Sequence, residues 1–225
     1  MNDEIELVDE EETPKPKAQG RYGALNDFVT QRVQKLQSSY LRGESGATAS
    51  LARLRRAISD EPGTNPVVWQ ESLGLPAQFV GQGDDPSRAE RAVHYAITLY
   101  AIHQQSQGKS MHHKGYGLGR AARQLGKDGG ASEQAVLRRF QALGTATSLA
   151  EAATHARGLV TQFRGAGIPL DYGKLAAEFV QFQDPRQIAS VRLNWGRDYY
   201  RAYRDPEASD QDNTASPETS QGENS

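Results

Sequence analysis

One stretch of the sequence, HHKGYGLGRAARQLG at residues 112–126, combines three residue patterns that can do chemistry. The adjacent His112 and His113 suggest metal ligation, the alternating glycines suggest a phosphate-binding turn, and the arginines suggest a basic helix. Neighbouring residues on a helix diverge by about 100°, and the chain contains no cysteine to complete a common zinc ligand set. The sequence therefore predicts no metal site.

Two phosphate-binding motifs are matched only in part. GKS at 108–110 ends like a P-loop, but the position of that motif's first glycine is His103. Residues 117–122 match G-x-G-x-x-A, yet a dinucleotide site needs a preceding strand, and none is predicted. Because no nucleophile elbow or pair of carboxylates is visible either, we predict a protein without a cofactor and without enzymatic activity. A nuclease or other hydrolase is a third-ranked interpretation, tested by a metal-dependent cleavage assay.

The charges of the chain are segregated. Residues 1–20 contain seven acids and two lysines, and residues 205–225 contain six acids and no base. The middle of the chain, 21–204, has 24 basic and 15 acidic side chains, and 19 of the bases are arginine. Arginine donates two parallel hydrogen bonds to phosphate oxygens. The middle of the chain is therefore predicted to bind a polyanion such as nucleic acid.

Apolar residues at helical spacing predict an all-α fold with about eight to nine helices and no strand. Three of these helices are predicted to begin after the capping residues Asn65, Ser132 and Asp171, and the one after Ser132 is expected to bury Val136, Phe140 and Leu143. We predict two small helical bundles, 21–126 and 131–204, divided at Lys127–Ala131. The acidic segments 1–20 and 205–225 lack the apolar side chains needed to offset chain entropy, so both are predicted to be disordered and able to compete for the basic surface. No apolar run is long enough to span a membrane, and the acidic start is unlike a signal peptide, which predicts a cytoplasmic protein.

Arginines lie opposite the apolar stripes of four predicted helices. Arg55 lies beside the apolar stripe of its helix, whereas Arg53 and Arg56 lie on the outward face. The glycines of GYGLG are expected to let backbone N–H groups approach phosphates at a helix N-terminus. Like charges at this spacing repel, which favours a bound polyanion over a simple solvated face. The arginines placed on outward faces, or flanking them, are Arg53, Arg56, Arg120, Arg123, Arg138, Arg139, Arg197, Arg201 and Arg204.

The order of six motifs resembles the CasB family, the small subunit of the type I-E CRISPR surveillance complex Cascade. The resemblance covers about residues 25–204, through LARLRRAI, VVWQESLG, GYGLGRAARQL, SEQAVLRRFQALGTATSLAEAATHARGLV, IPLDYGKLA and VRLNWGRDYYRAY. It implies an all-helical protein of two bundles without catalytic activity. It also implies assembly of two copies beside the backbone subunits and the large subunit. The matched motifs imply that five arginines of this sequence contact nucleic acid: Arg55, Arg56, Arg120, Arg138 and Arg139. The resemblance implies the same role less strongly for Arg197.

The function predicted from these observations is sequence-independent binding of guide RNA and of the target and displaced DNA strands. Opening DNA against a guide RNA is nearly balanced in free energy, so modest contacts to the sugar-phosphate backbone can tip it. The alternative is a helical, sequence-specific DNA-binding regulator with ASEQAVLRRFQAL as its recognition helix. The predicted nucleic-acid-binding residues are Arg53, Arg55, Arg56, Arg120, Arg123, Arg138, Arg139 and Arg197.

Overall fold

The computed structural model describes residues 22–201 of the 225-residue chain. These residues form nine α-helices and no strand, which confirms the predicted all-helical fold. An isolated bridge pairs His112 with Leu170. The segments predicted to be disordered, and Arg204, lie outside the described residues. The helices are α1 (Gly23–Leu41), α2 (Ser45–Arg56), α3 (Trp69–Ser72), α4 (Arg88–Gln104), α5 (Leu118–Asp128), α6 (Glu133–Thr145), α7 (Leu149–Ala166), α8 (Tyr172–Phe182) and α9 (Ile188–Tyr200).

Side-chain caps fix the starts of the central helices. The Ser87 hydroxyl accepts a hydrogen bond from the Glu90 N–H, and the Glu90 carboxylate accepts one from the Ser87 N–H, so α4 begins with a capping box. The predicted cap Asp171 accepts from the Lys174 N–H at the start of α8. The predicted cap Ser132 makes no side-chain capping bond, although α6 begins directly after it.

The helix expected after Asn65 is broken into shorter pieces. Asn65 does accept from the Val67 N–H, but the turn that follows, Pro66–Val68, is a 3-10 helix. It leads into α3, a single turn of four residues. The chain then follows an irregular path to α4, interrupted by a 3-10 turn at Ala77–Phe79.

The core is organised around α4, whose residues from Ala92 to Gln104 are almost all buried. Helices α2, α7 and α8 pack against α4, and α8 also packs against α1. Helix α5 packs against α6 and α9. The buried apolar side chains form one cluster that includes residues from both 21–126 and 131–204. The division of the chain at 127–131, which overlaps the end of α5 and the start of the connection to α6, stays a prediction.

The loop between α4 and α5 is fixed to the core by buried polar side chains. The Gln37 Oε1 accepts from the His112 N–H at 2.8 Å. The Gln104 Oε1 accepts from the Met111 N–H at 3.1 Å. The Tyr172 N–H donates to His112 Nδ1 at 3.2 Å. Contacts from α1, α4 and α8 therefore hold the stretch that leads into α5.

Candidate nucleic-acid interface

Four arginines meet in an open cleft between α2, the end of α4 and α7. Arg55 and Arg56 come from the last turn of α2, and Arg157 and Arg164 come from α7. The cleft has a volume of about 490 Å³. Among the residues that the structure describes, no acidic side chain lines it. The rest of the lining is Ala52, Ile102, Gln105 and Thr161.

The Arg55 guanidinium is close enough to those of Arg56 and Arg164 to be repelled by them. Burial lowers the pKa of the half-buried Arg55; Tyr40 opposes that shift, while Arg56 and Arg164 lower the pKa further. An arginine nevertheless stays charged at neutral pH. The cleft therefore presents concentrated positive charge to solvent, a setting that favours a bound anion.

The Arg164 side chain, besides lining the cleft, hydrogen-bonds to the end of α4. Its Nη1 donates to the Gln105 Oε1 at 2.9 Å and, with longer geometry, to the Ile102 carbonyl at 3.4 Å. These acceptors lie at the C-terminal end of α4, where a cation is favourable to the helix dipole. Arg157, by contrast, is exposed and makes no ion pair or side-chain hydrogen bond within residues 22–201.

The α7 arginines were not among the predicted site residues. Arg157 and Arg164 are seven residues apart, so they lie on the same side of α7. This spacing in HARGLVTQFR is a signal that sequence analysis could have used. That the same side of α7 faces the end of α2 depends on tertiary packing.

Arg53 is less exposed than Arg56, with which it was predicted to share an outward face. Arg53 is half-buried, and its Nη2 donates to the Ser50 hydroxyl at 2.8 Å. The same nitrogen lies 3.8 Å from Glu71 Oε1, on a buried side chain of α3. Because α3 contributes a carboxylate to this side of α2, Arg53 has an acidic partner inside the fold, whereas Arg56 is exposed.

Arg120 and Arg123 are half-buried at the contact between α5 and α9. The Arg120 guanidinium lies over the Tyr116 ring, 4.0 Å from its centroid. Arg123 Nη1 donates to the Tyr199 carbonyl at 3.2 Å. The outward face predicted for this pair is therefore partly covered by α9.

The predicted role of the GYGLG glycines is wrong. A Cβ on Gly117 would collide with the carboxylate of Asp198, and a Cβ on Gly119 would collide with the Trp195 carbonyl oxygen. The Asp198 carboxylate accepts from the Arg120 N–H at 3.1 Å. The anion at the N-terminus of α5 is thus the protein's own carboxylate, and the glycines allow α5 and α9 to approach closely.

A buried carboxylate, Glu178, lies beside this α5–α9 junction. Its Oε2 accepts from Trp195 Nε1 at 2.8 Å, and Lys174 Nζ lies 3.8 Å from its Oε1. The same ammonium lies 3.8 Å from Asp198 Oδ2. Burial raises the pKa of Glu178 to about 7, although Lys174 and Trp195 act in the opposite direction.

The remaining predicted arginines are exposed on α6 and α9. Arg138 and Arg139 lie on the outer side of α6, and Arg139 Nη1 contacts the Gln162 Oε1 of α7 at 3.4 Å. Arg197 is exposed on α9 between Leu193 and Tyr200, whose exposed fractions are 52% and 67%. The structure therefore spreads the predicted residues over several surfaces and brings Arg55 and Arg56 together with the α7 pair.

The two adjacent histidines point in different directions. His112 is buried against Tyr172, and burial lowers its pKa, whereas His113 is exposed. Within residues 22–201, no three histidine, aspartate or glutamate side chains are grouped so that they could hold a metal ion. None of the helices in this range is long and apolar enough to cross a membrane.

Comparison with known proteins identifies relatives of the chain. The family described as CRISPR-associated protein Cse2 matches residues 50–200. The crystal structure of CasB from Thermobifida fusca has 36% sequence identity and a TM-score of 0.64, over 79% of this chain and 98% of that one. No curated protein matches the sequence.

Two more distant structures share the fold. A Cse2-family protein from Thermus thermophilus has 24% identity and a TM-score of 0.58, over 79% of this chain and 98% of that one. A chain of a CRISPR RNA-guided surveillance complex has 18% identity and a TM-score of 0.54, over 76% of this chain and 92% of that one. The family match over residues 50–200 and the 36% identity to the Thermobifida fusca protein confirm the resemblance seen in the sequence, and the chain belongs to the CRISPR-associated Cse2 family, also called CasB.

Proposed function

We propose that the protein is the non-catalytic small subunit of a type I-E Cascade complex that binds nucleic acid and stabilises the R-loop. The observation that carries this proposal is the arginine cleft, which four arginines line and to which the described part of the chain contributes no carboxylate. Family membership supports it, because a related chain occurs in an RNA-guided surveillance complex. The proposed ligands are the guide RNA and the target and displaced DNA strands.

The chemistry of the cleft favours contact with the sugar-phosphate backbone. Guanidinium groups pair with phosphate oxygens whatever the base, so such contacts position a strand without reading its sequence. The small lining residues, Ala52 and Thr161, leave the guanidinium groups as the main polar features. Binding is therefore expected to depend on salt and to be independent of sequence.

A second basic surface is proposed on α5 and α6. Arg138 and Arg139 are exposed there, and Arg120 and Arg123 are partly so. Arg53 and Arg123 each have a structural reason for a smaller contribution, because Arg53 faces Glu71 and Arg123 donates to the Tyr199 carbonyl. The second surface extends the area available to a strand, but Arg123 and Arg139 also contact neighbouring helices, so we expect these two to contribute less than a cleft arginine.

The exposed side of α9 is better suited to a protein partner. Leu193, Arg197 and Tyr200 lie on one side of the helix, at spacings of four and three residues. Exposed aromatic and arginine side chains beside an aliphatic one are typical of the centres of protein interfaces. We propose that Arg197 contacts another Cascade subunit, whether a backbone subunit, the large subunit or a second copy.

The test is a comparison of two double variants with equal loss of charge. Arg56→Ala with Arg157→Ala removes two cleft arginines, and Arg42→Ala with Arg186→Ala removes two exposed arginines elsewhere. Fluorescence anisotropy would measure the affinity for single-stranded DNA at several salt concentrations. We expect the cleft variant to lose about tenfold or more in affinity, and the salt slope to fall by about 0.7 for each phosphate that is no longer neutralised.

Three results would contradict the proposal. If the two double variants lose the same affinity for DNA, the cleft arginines contribute no more than other exposed arginines. Tight binding to one sequence that persists at high salt would favour the alternative, a sequence-specific regulator. The permanganate reactivity of the displaced strand would be measured in the reconstituted complex. If the cleft variant leaves this reactivity unchanged, the cleft arginines do not stabilise the R-loop.

A further inference from the structure

We infer that the acidic segment 205–225 of the same chain binds the arginine cleft and competes there with nucleic acid. This inference rests on the proposed function, because it concerns regulation of the same site. It assigns one of the two acidic segments to one specific surface.

The first argument is charge complementarity. Two of the four cleft arginines, Arg56 and Arg157, are exposed, and within the described residues no carboxylate lines the cleft. The segment contains six acids and no base, so its carboxylates meet no internal partner of opposite charge. Its acids are Asp205, Glu207, Asp210, Asp212, Glu218 and Glu223.

The second argument is the place where the segment leaves the fold. The ring of Tyr199, near the end of α9, stacks on Phe140 of α6 at a centroid distance of 5.3 Å. Arg139, the preceding residue of α6, contacts Gln162 of α7, and Thr161 beside Gln162 lines the cleft. The described chain therefore ends on α9 beside α6, which in turn contacts the cleft helix α7. An extended chain of 20 residues spans up to roughly 70 Å, so reach is not limiting.

The other acidic segment, 1–20, precedes a part of the fold that is farther from the cleft. The Tyr22 hydroxyl accepts from Gln187, close to Gln183, which donates to the carbonyl of Arg88 at the beginning of α4. The cleft lies at the opposite end of that 17-residue helix, about 25 Å away along its axis. Segment 1–20 also contains two lysines, which reduce its net charge.

The principal experiment keeps the chain at full length. One variant changes the six acids of 205–225 to their amides, and the matched control changes the seven acids of 1–20 to theirs. Because tethering gives the segment a high effective concentration at the cleft, we expect the first variant to bind single-stranded DNA at low salt at least about threefold more tightly than wild type. We expect the affinity of the control variant for single-stranded DNA to change by less than about half as much. Circular dichroism would verify that all chains are equally folded.

A second measurement detects the contact without nucleic acid. The chain has no cysteine, so Ala215→Cys carries a single spin label. We expect paramagnetic broadening of the amide signals of Arg157 and Thr161, which disappears at high salt and in the amide-substituted segment. Signals near Arg186 should stay sharp.

The outcomes separate this inference from the proposed function. If the amide variant binds DNA no more tightly than wild type while both bind, competition by the segment is overturned and the proposed function stands. If neither chain binds nucleic acid, the proposed function fails, and the competition with nucleic acid fails with it. Broadening that is absent from the cleft, or uniform over the surface, would overturn the assigned contact.

Discussion

The arginine cleft and the α5–α9 junction contain similar basic side chains in opposite surroundings. In the cleft, four arginines line one open cavity, and among residues 22–201 no acidic side chain belongs to its lining. At the junction, the buried carboxylates of Glu178 and Asp198 lie against Lys174, and Asp198 also accepts a hydrogen bond from the Arg120 backbone. Because Glu178 and Asp198 are paired with Lys174 inside the fold, we assign these buried groups to stability, and we assign the unbalanced cleft to binding.

The strongest test of the junction is Gly119→Ala. The added Cβ would collide with the backbone of α9 at Trp195 and Tyr199, so the two helices must separate. We expect a loss of about 2–3 kcal/mol in the free energy of unfolding, measured by chemical denaturation.

The matched control for this change is Gly196→Ala on α9. A Cβ there meets no atom within 4 Å among the described residues, and alanine favours a helix by up to about 1 kcal/mol over glycine. A Gly119→Ala protein as stable as wild type would contradict the close contact of α5 with α9.

The second test is the pH dependence conferred by Glu178. The folded-state pKa of about 7 lies above the ordinary value of 4.5, so the folded protein binds the proton more tightly than the unfolded chain does. This contribution to stability is complete below about pH 4.5 and is lost as the pH rises through about 7. Over that range it amounts to about 3 kcal/mol.

Glu178→Gln isolates this effect. Its amide oxygen can still accept from Trp195 Nε1, but the side chain does not titrate. We expect the variant to be more stable relative to wild type at pH 8 than at pH 5, by denaturant titration at both values. A difference between the two proteins that is independent of pH would contradict the raised pKa.

A third test asks what the cleft requires of Arg157. Arg157→Ala should lower the affinity for single-stranded DNA by about fivefold, because one charged hydrogen-bonding group is lost. Arg157→Lys keeps the charge without the fork, and we expect it to lose about twofold. Both should change the unfolding free energy by less than about 0.5 kcal/mol, since Arg157 is exposed. If the lysine variant binds as weakly as the alanine variant, the contact depends on bidentate geometry rather than on charge.

The smallest expected effect is at Arg53, which lies on the same helix as the cleft arginines. Arg53→Ala should cost about 0.5–1 kcal/mol of stability, because the pair with Glu71 is long and Arg53 is partly exposed. Its affinity for DNA should stay within about twofold of wild type. Arg56→Ala is the control on the same helix, and we expect the reverse result, with affinity lowered and stability unchanged. If Arg53→Ala lowers the affinity for DNA more than Arg56→Ala does, Arg53 belongs to the binding site.

The helices were predictable because their signals are local. The apolar spacing of Val136, Phe140 and Leu143 identified the buried side of α6, and Asp171 identified the start of α8. These patterns depend on residues within one or two turns of each other, so they can be recognised without a tertiary structure.

The composition of the candidate site was less predictable for a physical reason. Helical periodicity shows which side of a helix is apolar, but it does not show what covers the other side. The outward faces assigned to Arg53 and Arg123 are partly covered by α3 and α9. The cleft joins α2 to α7, about 100 residues later in the chain, and only packing on α4 brings them together.

The polar anchoring of the loop between α4 and α5 has a consequence for the order of folding. Gln37 and His112 are 75 residues apart, and His112 and Tyr172 are 60 apart. Contacts between such distant residues close long loops, so they form after local helices. We expect the amide protons of Met111 and His112 to gain protection from hydrogen exchange late during refolding.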